Sequence, residues 1–287
     1  MVAFTHKPTK PHLARSRASR RAATARRALA HCHLCAHDCG VNRLAGELGI
    51  CRAGPQARVF CAQVEVGDEL ELIPTFAIAL SGCDLRCDFC ITGESSWNPR
   101  AGQAIDLEIL AERARAALAS GARTVMILGG EPTIHLPDAL EVASVMPPGA
   151  RLIWKTNAHG SPEARELLDG VFDVWLVDFK FGNDSCAQRL AKVSDYGQIV
   201  RENLLWADKH TELIVRHLLM PGHVDCCWVP VAEWLAKNLP TVKVSLRAGF
   251  WPGWHSGRHP ELRGTVPASE SERAFVIAHD LGLRMIS

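Results

Sequence analysis

The sequence predicts an α/β protein: a partial (β/α)6 parallel barrel behind a small Cys-rich N-terminal module. Two observations carry this. From Leu72 onward, apolar strand-like runs alternate with segments of helical periodicity, and six β–α units in a row are the pattern of a parallel sheet wound into an open or closed barrel. The chemically unusual residues also recur where the runs end, which is where such folds gather functional groups.

The elements follow in order. Strands are expected at 75–81, 124–130, 151–157, 173–180, 212–222 and 242–249. They are apolar on both faces, as strands covered on two sides must be. Between the first two strands, Leu107, Leu110, Ala114, Ala117 and Leu118 recur at helical spacing, with Gly121 as the stop. Further helices are expected at 136–145, 162–168, 185–193, 200–209 and 226–238, and a last one at 269–281. Residues 31–70 are rich in Cys and Gly and lack hydrophobic periodicity, so they read as a metal-stapled module. The expected division is therefore a basic arm at 1–30, solvated and partly helical or disordered, with a docking arm for an acidic partner or a transit-like peptide as the alternatives, the module at 31–70, and the barrel at 71–287.

Composition bounds the function. The chain has 287 residues, 47% of them hydrophobic and 22% charged, which is ordinary for a soluble globular protein. No apolar run is long enough to span a bilayer, and no apolar core follows a charged start, so a cytoplasmic location is expected. Residues 1–30 hold two Lys and six Arg and no acid; removing those eight charges from the net +1 leaves −7 for the rest. Bulk charge thus argues against a nucleic-acid surface. Eleven cysteines without a secretion signal favour metal ligation over a disulfide framework.

The cysteines fall into groups. Cys83, Cys87 and Cys90 lie in the loop after the first strand, spaced to converge on one metal cluster but one ligand short of a closed set. Cys32, Cys35, Cys39 and Cys51 form a complete set of four, for a structural zinc or a 4Fe–4S cluster. His31, His33 and His37 are alternative ligands, expected to be exposed. Cys61, Cys186, Cys226 and Cys227 read as buried small hydrophobes, with a radical-quenching thiol as the functional alternative. Gly129, Gly130 and Glu131 end the second strand. Lys155 and Asn157 end the third, and Asp178 and Lys180 end the fourth, where the Asp–Lys pair also suits a plain salt bridge. Arg216 lies in the fifth strand. His217 points to the opposite face and reads as structural; His223 is placed at the surface. Trp251, Trp254 and His255 are placed as a cap over the barrel mouth, with a surface loop as the alternative.

The three-Cys loop after a first strand, followed by Gly-Gly-Glu after the second, resembles the radical S-adenosylmethionine (SAM) superfamily. The segments "WKTNA", "DFKFGNDSCAQRL" and "IVRHLLMPGHVDCC" resemble its branch similar to pyruvate formate-lyase activating enzymes. The resemblance spans Cys32 to Leu283. It implies that Cys83, Cys87 and Cys90 hold a 4Fe–4S cluster whose fourth iron is bound by SAM. A single electron then splits a carbon–sulfur bond and leaves a 5′-deoxyadenosyl radical. It implies cofactor contacts by Phe89, Gly129, Gly130, Glu131, Asn157, Asp178, Lys180 and Arg216, the glycines by letting backbone approach the ligand. Related enzymes often carry Asp at Lys155 and Asn at Thr92, so these two positions depart from the pattern. The implied partners are a small electron donor such as flavodoxin or ferredoxin, and a glycyl-radical enzyme as protein substrate. A small metabolite or peptide is the alternative substrate, and a zinc-ribbon interaction protein the non-enzyme alternative.

Overall fold

A computed structural model describes residues 11–67 and 69–287. Its strands are β1 (Arg58–Glu65), β2 (Thr75–Leu80), β3 (Gln103–Ala104), β4 (Thr124–Gly129), β5 (Arg151–Thr156), β6 (Val174–Asp178), β7 (Glu212–Leu218), β8 (Lys243–Arg247) and β9 (Arg284–Met285). They form one sheet in the order β3-β1-β2-β4-β5-β6-β7-β8-β9. From β2 through β9 every pairing is parallel. The edge strands β1 and β3 are antiparallel. The helices are α1 (Pro11–Ala28), α2 (Glu94–Trp97), α3 (Leu107–Ala119), α4 (Leu136–Val145), α5 (Pro162–Leu168), α6 (Asp184–Ala191), α7 (Tyr196–His210), α8 (Val229–Asn238) and α9 (Ala268–Asp280). The sheet is the expected partial barrel with six β/α units, open between its two edges.

The two faces of the sheet bury different clusters. Helices cover the outer face in one large core that includes Val125, Ile127, Leu152 and Trp154. The inner face holds Met126, Ile153, Val174, Leu176 and Ile214, plugged by Leu72 from the segment before β2. Side chains alternate along a strand, so the inner face continues two residues on into polar groups: Lys155 after Ile153, Asp178 after Leu176, Arg216 after Ile214. This alternation puts the functional residues over the C-terminal ends of the strands. Capping fixes the helices that return the chain: Asp106 accepts from Ile109 N at 3.0 Å and Ser161 from Ala164 N at 3.2 Å.

Two expectations are corrected. The first ten residues of the basic arm lie outside the described residues, but over 11–28 the arm is a docked helix. Ala14, Ala18, Ala22 and Ala25 form a buried stripe with Leu29 that packs on α4. Arg15, Arg17 and Arg26 are spent on the body of the molecule, while Arg20 and Arg27 stay exposed. Arg15 donates to the carbonyl of Ala150 at 2.9 Å beyond the end of α4, and Arg17 to that of Gly170 at 3.1 Å beyond α5. Arg26 pairs with Asp138 at 3.2 Å and Glu141 at 3.0 Å. Cations at helix C-termini offset the exposed carbonyls there. The alanine stripe was legible only as low-hydropathy sequence, since Ala carries too little apolar area to stand out among arginines. Ala22→Glu, which buries an unpaired charge between α1 and α4, is expected to lower stability by about 3 kcal/mol in urea unfolding.

The boundary expected at residue 70 also moves. Residues 58–65 are β1, a strand of the sheet itself, paired with β2 along its length. It escaped detection because it is an edge strand, half exposed and mixed in polarity.

Candidate functional site

The inner face ends in a cavity of about 850 Å³. Its wall contains Cys83, Cys87, Phe89, Cys90, Gly129, Gly130, Glu131, Asn157, Asp178, Lys180 and Arg216, so the fold gathers every residue singled out for the three-Cys site. Lys155 and Thr92 line it as well.

The three-Cys loop is tied to α6 by its backbone. Arg86 N and Asp88 N donate to the carbonyls of Ala191 and Leu190 at the end of α6, at 2.9 and 2.8 Å. Leu85 N donates to Cys83 Sγ at 3.3 Å. The glycines serve this loop. A Cβ on Gly129 would lie 2.0 Å from the Leu80 carbonyl oxygen, and one on Gly130 would lie 1.9 Å from that of Gly82. The atoms that crowd Gly129 belong to the end of β2 and those that crowd Gly130 to the three-Cys loop, and a larger residue would push them away. Gly130 N and Glu131 N complete the contact, donating to Leu80 O and Gly82 O at 2.9 Å each.

Glu131 is buried at the centre. One carboxylate oxygen accepts from Thr133 N (3.0 Å), Thr133 Oγ1 and Thr156 Oγ1 (2.8 Å). The other accepts from Asn157 N at 2.7 Å. Burial, reinforced by Asp84, pushes its pKa up to about 7. Asn157 is committed too: its Nδ2 donates to Asp84 Oδ1 at 2.8 Å and its Oδ1 accepts from His159 N at 2.8 Å. It therefore braces the residue beside Cys83.

Asp84 and His159 are buried neighbours of the three-Cys loop that the sequence pattern did not reveal. Asp84 Oδ2 meets His159 Nδ1 at 2.8 Å, both fully buried. His37 Nε2 contacts the Asp84 carbonyl at 2.9 Å and its ring stands edge-on to His159 at 5.0 Å. His37 thus links the Cys-rich N-terminus to the cluster loop and is half-buried, against the exposure expected of it. The one available signal was an acid next to Cys83; nothing local marks His159.

On the opposite wall, Asp178 pairs with Lys180 at 2.7 Å. Burial opposes its ionisation, but Lys180, Arg216 and Lys155 hold its pKa at about 2. Arg216 makes a two-pronged pair with buried Glu69, at 2.8 and 2.7 Å, so its charge is largely answered from within the chain. Glu69 was not singled out from the sequence; it lies in the segment that plugs the barrel. His217 is buried and its Nδ1 meets the Phe179 carbonyl at 2.7 Å, the structural role expected. Of the three residues expected to cap the mouth, Trp251 lines the cavity. Trp254 packs instead on Trp97 at 5.6 Å, and His255 on both rings.

The donor set fits a cluster with one open corner. Three thiols face one cavity, and among the described residues lining it there is no further Cys or His. Burial pushes Cys87 up to about 12 and Cys83 well up, so a bound cation is what would hold these thiolates at neutral pH. The N-terminal set is partly assembled: Cys35, Cys51 and Ala53 pack against Ile134, and buried Arg43 donates to Cys32 Sγ at 3.6 Å.

Comparison with known proteins agrees with this geometry. The radical SAM superfamily model matches residues 78–235. An uncharacterized protein of Methanocaldococcus jannaschii, MJ0674, is 31% identical over 270 residues, covering 89% of this chain and 76% of that one. The 7-carboxy-7-deazaguanine synthase of Prochlorococcus marinus is 40% identical over 65 residues, 23% of this chain and 28% of its own. Among solved structures, Streptococcus suis SuiB bound to its precursor peptide SuiA superposes with a TM-score of 0.54 at 15% identity, over 71% of this chain and 46% of SuiB. SuiB bound to S-adenosylmethionine gives 0.52 at 16% identity, over 69% and 44%. The chain spans under half of SuiB, and at this identity the likeness is one of fold. With the three-Cys loop in place and the family model covering more than half its length, the chain belongs to the radical SAM superfamily.

Proposed function

We propose that this enzyme cleaves SAM reductively at the Cys83–Cys87–Cys90 loop and abstracts a hydrogen atom from a polypeptide presented at the cavity mouth. The family's cofactors are a 4Fe–4S cluster and SAM; when bound, the cluster supplies the electron that splits the sulfonium and yields a 5′-deoxyadenosyl radical. The observation that carries the reading is the set of three thiols on one cavity wall, with no fourth Cys or His among the described residues that line it.

The chain's own residues supply aim and exclusion of water. Cys83, Cys87 and Cys90 would hold the cluster on a loop pinned to α6. Glu131 would supply negative charge for the SAM ammonium. Lys180 and Asp178, with Arg216 behind them, would present fixed charge to the polar groups of SAM. Phe89, packed edge-on to Phe181 at 6.0 Å, shields the loop.

A polypeptide substrate is supported by the mouth. Ile91 (79% exposed), Trp251 (69%) and Phe275 (46%) all line the cavity and offer apolar area to solvent. A backbone glycine of a glycyl-radical enzyme is the polypeptide site that the "DFKFGNDSCAQRL" resemblance favours. Ile91 directly follows the last cluster cysteine, and the exposed loop there suits contact with a flavodoxin- or ferredoxin-type donor.

The test is anaerobic reconstitution with iron and sulfide, then SAM and dithionite, with 5′-deoxyadenosine measured with and without a glycyl-radical protein. The reading expects product in both cases and a glycyl doublet in the electron paramagnetic resonance spectrum of the second. Product without a radical or a covalent change on any polypeptide offered would overturn the substrate assignment. A protein that takes up zinc but no iron at the loop would sink the whole reading.

A further inference from the structure

Outside the cavity, four ligand-bearing side chains converge on one point. Cys186 comes from the first turn of α6. His223 comes from the turn after β7. Cys226 and Cys227 come from the π-helical turn at Val224–Trp228 that leads into α8. Their ligand atoms all lie within 4.8 Å of one another. Cys226 Sγ is 3.9 Å from both Cys186 Sγ and Cys227 Sγ. His223 Nδ1 is 3.2, 3.6 and 3.8 Å from Cys226, Cys227 and Cys186. None of the four lines the cavity.

These spacings select a metal. A tetrahedral zinc with Zn–S bonds of about 2.3 Å holds its sulfurs about 3.8 Å apart. A disulfide would need about 2.05 Å. A cubane cluster spreads its thiolates over separate irons, wider than this set allows. We propose that Cys186, His223, Cys226 and Cys227 form a closed Cys3His zinc site.

The surrounding residues are arranged for it. Asn183 Nδ2 donates to Cys186 Sγ at 3.3 Å and to the Cys226 carbonyl at 2.6 Å, while its Oδ1 caps α6 by accepting from Cys186 N at 2.8 Å. One side chain thus fixes two of the ligands. Gly182 is required beneath them: a Cβ there would lie 2.4 Å from the Cys227 carbonyl oxygen. The other nitrogen of His223, Nε2, faces Glu261 at 3.8 Å, on the side where the carboxylate partner of a metal-binding imidazole stands. Glu261 is held in turn by Arg189 of α6. His223 is itself buried, contrary to its expected place at the surface.

Four ligands close the shell, so the site is structural. Its place in the fold says what it holds. Zinc ties α6 to the β7–α8 connection, and α6 is the platform whose last carbonyls anchor the cluster loop at Arg86 and Asp88. Lys192, just past α6, also pairs with Asp88 at 3.1 Å.

The test is metal analysis and zinc X-ray absorption on the full chain, purified anaerobically without added iron. The expected result is at least one zinc per chain and a shell of both sulfur and imidazole nitrogen. In the Cys35→Ala/Cys51→Ala variant, which removes the N-terminal four-Cys set, one zinc remains with three sulfurs near 2.3 Å and one nitrogen near 2.0 Å. In Cys186→Ala/Cys227→Ala that signal disappears. Should either variant fail to fold, Co2+ exchanged into the wild type decides, through tetrahedral d–d bands with thiolate charge transfer and a histidine ring signal shifted by the paramagnetic ion. A wild-type protein free of zinc, a shell of sulfur alone, iron in place of zinc, or zinc retained with three sulfurs and a nitrogen in Cys186→Ala/Cys227→Ala would each overturn the site. None of these outcomes bears on the cavity, whose reading stands or falls with iron at Cys83, Cys87 and Cys90.

Discussion

Reconstituted Cys87→Ala protein, incubated anaerobically with SAM and dithionite, is expected to form 5′-deoxyadenosine only at the assay background, while the wild type accumulates it. The physical reason is the size of the ligand set. Three thiols face the cavity, and no other Cys or His among the described lining residues stands ready to replace one. A two-thiolate loop cannot hold a low-potential cluster with its open iron toward the cavity. Neither Lys180 nor Asp178 compensates, since they neutralise each other. Equal product from variant and wild type would remove the cluster from this loop. Cys61→Ala is the control: that thiol lies on the edge strand β1, outside the cavity wall, and its loss leaves product formation unchanged.

The second large effect falls on stability. Asp84→Ala is expected to destabilise the metal-free protein by about 3 kcal/mol, because it strands the buried donors of Asn157 and His159. Asp84→Asn keeps the volume and one acceptor and should cost less. Urea unfolding checks both, and equal stability of Asp84→Ala and wild type would show that the network contributes nothing. The pH dependence has two parts of opposite sign. Burial pushes the Asp84 carboxyl up, but His159 and Asn157 outweigh it and hold it below the ordinary value of 3.8. Its contribution is therefore present above that value and fades as pH falls through the lower folded value. Glu131 is raised from 4.5 to about 7, so its contribution is present below 4.5 and is lost as pH rises toward 7. Together these two carboxyls favour a stability maximum between about pH 4 and 5 for the metal-free site. Thermal unfolding across pH 3–8 in Glu131→Gln should lose the fall on the alkaline side.

Much of the site was readable because strand chemistry is local. A strand one residue out of register would face the wrong way, so once the strands are placed, alternation carries Lys155, Asp178 and Arg216 to the inner face. The three-Cys loop was readable because its ligands lie within eight residues of one another. Partners contributed from far away were not. Glu69 reaches Arg216 across 147 residues, and Asp84 reaches His159 across 75; no spacing in the chain announces such pairs. The same holds for Cys186 and Cys226, which look like isolated small hydrophobes until 40 residues of chain fold back and bring their sulfurs to 3.9 Å.

The order of residues alone therefore determined the alternating α/β architecture, the end of the barrel that carries chemistry, and a cluster left one protein ligand short. Those properties follow from short-range rules: periodicity, strand alternation and ligand spacing. Only the folded chain decided that residues 11–28 of the basic arm are a docked helix, that Gly129 and Gly130 make room for the end of β2 and the start of the three-Cys loop, and that three scattered thiols and a histidine meet. Contacts of that kind depend on how distant segments pack, and packing energy is a property of surfaces brought together, which no local stretch of sequence possesses.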